Sequence, residues 1–159
     1  MGDAIPALTL WQPWASLIAA GCKPFEFRRW EAPRWVHGKR IAIHAGARKV
    51  KREEVQELLV RLQTDGGFGT GLTVGPAIAL LDRALSAPGM LPLSAVVCTA
   101  VLGRPVRAAE LVAAGDSDRV DHHVWGWPLT DVRVLAPYVP ARGAQGFWIW
   151  TPPAEVRDA

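Results

Sequence analysis

Hydrophobic and polar positions change period several times along this chain. Leu8-Thr-Leu-Trp11 alternates, as a short strand does. Pro13 fits a first helical turn, where its missing N–H is no loss. Trp14 to Ala20 then favours helix, and Gly21 stops it. The following strand puts Phe25, Phe27 and Arg29 on one face and Glu26 and Arg28 on the other, with Lys23 at the corner before it. Arg40 to Ala45 is a further strand. Arg52 to Gln63 carries a helical apolar stripe of Val55, Leu58, Leu59 and Leu62, with Glu53 and Glu54 at its favourable end. Ala77 to Leu85 predicts a short helix, and the unbroken apolar run from Ala95 to Gly103 a buried strand. Ala108 to Ala114 predicts one or two helical turns. Val124 to Trp127, Val132 to Val139 and Phe147 to Trp150 predict three closing strands, the last after a turn bounded by Gly143 and Gly146.

Short strands with a few helices between them predict an α+β fold, a small mixed β-barrel or highly curved sheet. With 159 residues the chain is expected to be one domain. Its core would run from about residue 7 to 150, and residues 151–159, past Pro152-Pro153, would fray. Asp65 to Gly75 holds five glycines but lacks the Gly-Lys-Ser/Thr ending of a phosphate cradle, so a mobile surface loop or lid is expected.

Charge sharpens this picture. The net charge is only +3, yet Arg28 to Arg52 holds nine Lys/Arg against Glu31, a local +8 that leaves −5 elsewhere. Such a block points to a polyanionic partner, nucleic acid first, or to a solvated face. Eight tryptophans suit both core corners and base-stacking platforms; Trp14, Trp30, Trp35 and Trp127 are the stacking candidates. Cys22 and Cys98 allow one disulfide or two buried thiols in a reducing cytosol. Pro6, Gln12 and Pro13 interrupt the uncharged N-terminal run, which also lacks a basic leader, so a cytoplasmic chain without membrane attachment is expected.

The candidate chemistry centres on Lys23, Glu26 and Arg28, charges embedded in a segment otherwise built like core. A Glu between two cations stays ionised, which makes it a poor general acid but a good acceptor for a base amino group. Arg28 could pin a phosphate or stack on a base. The alternative is a structural ion pair. His44 is either a cleft base or a hydrogen-bonded wall residue. Lys39, Arg40, Arg48 and Lys49 would track phosphates. His122-His123 with Asp118 and Asp121 lack metal-ligand spacing, so no metal and no cofactor is expected.

Leu10-Trp-Gln-Pro-Trp-Ala-Ser-Leu-Ile18, then Gly21-x-Lys23-x-x-Glu26-x-Arg28, Ile43-His-Ala45, the strand from Ala95 to Leu102 and Gly143-x-x-Gly146-Phe-Trp148 resemble an ASCH domain. The likeness is to the Gln-Pro-Trp-Ala branch and spans about Ala7 to Trp150. It implies a PUA-like mixed β-barrel with helices covering its ends, and RNA or DNA binding with RNA favoured. The bound base or nucleotide would meet Trp14, Lys23, Glu26, Arg28, His44 and Trp127 in a polar cleft. The resemblance also implies an alternative, a small hydrolase of RNA or acetylcytidine-type nucleosides using Lys23 and Glu26; its Thr position is Glu26 here. A third reading is an interaction domain for an acidic protein. Oligomeric state is left open.

Overall fold

The computed structural model describes residues 3–67, 70–111 and 125–156. Seven strands are β1 (Ile5–Leu10), β2 (Phe25–Arg28), β3 (Arg40–Ala45), β4 (Ala95–Leu102), β5 (Val106–Arg107), β6 (Trp125–Pro140) and β7 (Phe147–Trp150). Four helices among the described residues are α1 (Trp14–Ala19), α2 (Arg52–Thr64), α3 (Val74–Ser86) and α4 (Ala108–Leu111). The strands form one mixed sheet in the order β2-β6-β4-β3-β1-β7, with β5 pairing β6. Among the described residues only β1 and β3 run parallel, placing Thr9 beside His44. The α+β class matches the expectation.

The expected closure into a barrel is not found: the sheet path is open, ending at β2 and β7. Aromatic rings join β6 to β7 instead. Trp127 of β6 stacks on Phe147 of β7, with centroids 5.8 Å apart and planes 16° apart. Trp30 meets Trp127 edge-on at 4.8 Å. The inner core continues through Leu8, Leu10, Ile41, Ile43, Val97, Leu102 and Leu129. A second apolar cluster joins α1, α2 and α3 through Leu17, Leu58, Leu62, Leu80 and Leu81.

Two elements differ from their sequence reading. A single 16-residue strand, β6, replaces the two expected before β7. Asp131, at φ 45°, interrupts its alternation, but a β4–β6 register shift absorbs it, while Pro128 sits opposite Phe25 in the β2–β6 ladder. Helix α3 also starts earlier than its pattern predicts, at Val74 rather than Ala77, because Pro76 sits in its first turn, where proline is tolerated. In the glycine-rich segment Gly67 and Thr70 are buried, while Gly66, Thr73 and Gly75 are exposed. The Thr70 N–H donates to Gly67 O at 2.9 Å. His122, His123, Asp118, Asp121, Val124 and residues 112–114 lie outside the described residues.

Candidate nucleic-acid interface

The motif Gln12-Pro13 builds the entry to α1. Gln12 Oε1 accepts the Ser16 N–H at 3.1 Å, and its Nε2 donates to Ser16 Oγ and Pro92 O, each at 2.8 Å. The helix start is thereby tied to the chain before β4. Ser16 is a structural partner there. The helix returns through Gly21, at φ 74°, and sends Lys23 under the sheet edge.

Lys23 is 2 % exposed and Glu26 7 %. Lys23 Nζ donates to Phe25 O and lies 2.9 Å from Glu26 Oε2. The other carboxylate oxygen, Oε1, accepts Arg28 Nε at 3.0 Å. Lys23 also faces the rings of Phe27 and Trp14, at 5.3 and 5.9 Å from their centroids. The three charges form a row, cation–carboxylate–cation, because Glu26 and Arg28 share a strand face and Lys23 reaches back to it. They line a cavity of about 340 Å³ with Thr9, Trp11, Trp14 and Phe27.

A second cavity, about 740 Å³, adjoins the first through Thr9, Trp11 and Arg28. Its far wall is Arg142 to Gly146, with Trp30 and His44 also lining it. His44 is a wall residue. A carbonyl can only accept, so His44 Nε2 donates to Ala141 O at 2.8 Å. The neutral ring then accepts the Thr9 hydroxyl at Nδ1, 3.1 Å away. Thr9 Oγ1 in turn accepts Trp148 Nε1 at 3.1 Å. Burial holds His44 below the ordinary imidazole range, although the Ala141 carbonyl acts the other way. A neutral ring with both nitrogens engaged positions the loop after β6.

Trp14, Lys23, Glu26, Arg28 and His44 therefore gather around two joined cavities. Arg48 reaches them by another route: its guanidinium lies 4.4 Å from the Trp11 ring centroid and pairs with Glu54 through both Nη groups. That pair, with Trp11 and Trp14, lines a third cavity of about 330 Å³. Lys39, Arg40, Lys49 and Trp127 line none of the three. Lys39 is exposed beside Trp35, at 5.6 Å from the ring centroid. Arg40 donates to Thr99 Oγ1 and pairs with Asp131. Lys49 is exposed. Trp127 is fully buried, directly opposite Glu26 in the β2–β6 ladder, with Phe147 on its face. It cannot stack on a base, because protein rings already pack against it. Burial drives the Cys98 thiol up to about 12 and raises Cys22 as well; both are free. Among the described residues no three His, Cys, Asp or Glu side chains gather as a metal site.

Sequence reasoning missed Trp11, which lines all three cavities and is 59 % exposed. Its place right after an alternating strand, at the chain reversal into Pro13, was the available signal. Thr9 had none, since its partners are distant in sequence, and neither had Arg142, which only the fold brings to the same cleft as Thr9 and Arg28.

The family model for the ASCH domain matches residues 8–83. Over that stretch the chain is similar to ASCH domains. ASCH domains are in general nucleic-acid-binding members of the PUA-like superfamily. No curated protein matches this chain. Among solved structures it is similar to an ASCH protein from Zymomonas mobilis, at 13% identity and TM-score 0.46, covering 94% of this chain and 88% of that one. Among the described residues, no helix is long and apolar enough to cross a membrane.

Proposed function

We propose that this ASCH domain binds single-stranded RNA and receives one base in the cavity lined by Lys23, Glu26 and Arg28. The observation that carries the reading is the buried charged row facing a 340 Å³ cavity beside the exposed ring of Trp11. An apolar-walled cavity with a few convergent polar groups is the usual form of a ligand site. A carboxylate acceptor between two donor cations is suited to an amino-bearing base edge. Single-stranded bases are free to enter such a cavity, and an indole stacks on any of them. Arg48 braces the Trp11 ring, which favours one fixed orientation for stacking.

A hydrolase is the second reading, and one observation favours it. Thr9 brings a hydroxyl to the same cavity as Lys23 and Glu26, hydrogen-bonded to an imidazole nitrogen. Burial of His44 disfavours the imidazolium that such a step would form, so binding remains the leading reading.

The test is a titration of fluorescent single-stranded RNA, duplex RNA and DNA at two salt concentrations, each mixture then run on a denaturing gel. Salt-sensitive binding of intact single-stranded RNA is expected, weakened about tenfold by Trp11→Ala. Absence of binding at low salt, or a Trp11→Ala protein that binds as well, overturns the proposal. Cleavage lost in Thr9→Val moves the hydrolase reading ahead.

A further inference from the structure

We propose that Arg28 and Arg142 hold a phosphate group in the 740 Å³ cleft, making the preferred ligand a phosphorylated nucleotide or a nucleotide within RNA. The neighbouring base is assigned by the reading of the 340 Å³ cavity; the phosphate site itself is argued from its own residues.

Among the described residues the cleft is lined by two arginines and by no carboxylate. That sets it apart from the cavity at Arg48, where Glu54 and Glu57 face Arg48 and Arg61. Arg28 lies on the wall common to the cleft and the base cavity. Its Nε is engaged by Glu26 at 3.0 Å, while its Nη groups have no acceptor among the described residues. A guanidinium oriented by one carboxylate presents its remaining donors as a fixed fork, which matches phosphate geometry. Arg142 is exposed, with no ion pair or hydrogen bond among the described residues. Residues on both sides of it are anchored. Ala141 N donates to Ser94 O at 3.0 Å, and Ala141 O accepts His44 Nε2. On the other side, Gly143 packs so closely that a Cβ there would lie 2.6 Å from both the His44 ring and Thr9 Oγ1. The backbone carrying Arg142 is thus held against the sheet before any ligand arrives, which lowers the ordering cost of binding. Trp11 and Trp30 in the same lining supply apolar walls, where a charge-assisted hydrogen bond gains strength.

The probes are the four ribonucleosides, their 5′-monophosphates, ribose 5-phosphate and a tetranucleotide RNA without terminal phosphate, titrated into the intact protein by calorimetry. At least one monophosphate should bind about tenfold tighter than its nucleoside. Arg142→Gln should bring the two within about twofold, and Arg142→Lys should keep part of the difference. Since the Arg142 side chain is exposed, an unchanged melting temperature is expected. Equal binding of nucleosides and monophosphates, or a difference that survives Arg142→Gln, overturns the proposal, as does failure of every phosphorylated probe to bind. Ribose 5-phosphate that binds through Arg142 while nucleosides do not would sink the base-cavity reading and keep the phosphate site. Binding of the tetranucleotide assigns the site to a chain phosphate; binding of monophosphates alone assigns it to a free nucleotide.

Discussion

Breaking the Lys23–Glu26 pair from either side separates a structural ion pair from a binding site. The two groups lie 2.9 Å apart with side chains 1 % and 9 % exposed. Removing one member of a buried pair costs about 3–5 kcal/mol, whereas replacing both with apolar side chains of similar size is often neutral or stabilising. Lys23→Met leaves Glu26 its bond to Arg28 at 3.0 Å, so its loss should fall near about 3 kcal/mol. Glu26→Leu removes the acceptor that Lys23 and Arg28 share, and its loss should approach about 5 kcal/mol. In a chain of this length each kcal/mol moves Tm by about 2–4 °C, so drops of about 6–12 °C and about 10–20 °C are expected. The double variant should be at least as stable as Lys23→Met, because no buried charge is then left without its partner. Thermal melts of the four proteins measure this, and RNA titration of the double variant adds the functional arm. A double variant whose loss equals the sum of the single losses refutes the buried-pair argument, as do single losses below about 1 kcal/mol. A double variant that folds and still binds RNA like the parent leaves the pair a structural role only.

The remaining predictions concern the wall of the larger cleft. Gly143→Ala should destabilise the fold by about 1–3 kcal/mol and weaken binding of phosphorylated probes, since its methyl would meet His44 and Thr9 at 2.6 Å. Melts and titrations that match the parent would show that the loop relaxes freely. His44 should make stability fall as pH drops below about 6.5. Its folded value is held low by burial, so the unfolded chain takes up a proton there that the folded chain resists. The stability is complete above the unfolded pKa and is lost as pH falls through the folded one. Glu54 and Asp131, lowered chiefly by Arg48 and Arg133, act only in the more acidic carboxylate range. Comparing Tm from pH 7.5 to 5 should show a slope that His44→Gln flattens; identical slopes would remove His44 as its source.

What could be read from the sequence divides by how local its cause is. The strand Arg40–Ala45 has its predicted bounds, and α2 differs by a single residue at its end, because alternation and the helical stripe are properties of neighbouring residues. The row Lys23, Glu26 and Arg28 was legible for the same reason, since spacings of three and two bring it together on one corner and strand. The unity of β6 was not, because its irregularity at Asp131 looks like a strand end until β4 is seen to pair on both sides of it. Nor was the wall made by Thr9, His44, Ala141 and Trp148, whose bonds join residues 35, 97 and 139 positions apart. The basic block shows the same limit in electrostatic form. Counted along the chain it is one +8 segment, but folding directs Arg40 to Asp131, Arg48 to Glu54 and Arg28 to Glu26. A surface pair of this kind adds little energy, yet it removes much of a cation's pull on a distant anion. The positive potential open to a ligand therefore depends on which guanidinium donors folding leaves without acceptors. By that criterion Arg142, outside the basic block altogether, has a stronger claim on a phosphate than Arg40 inside it.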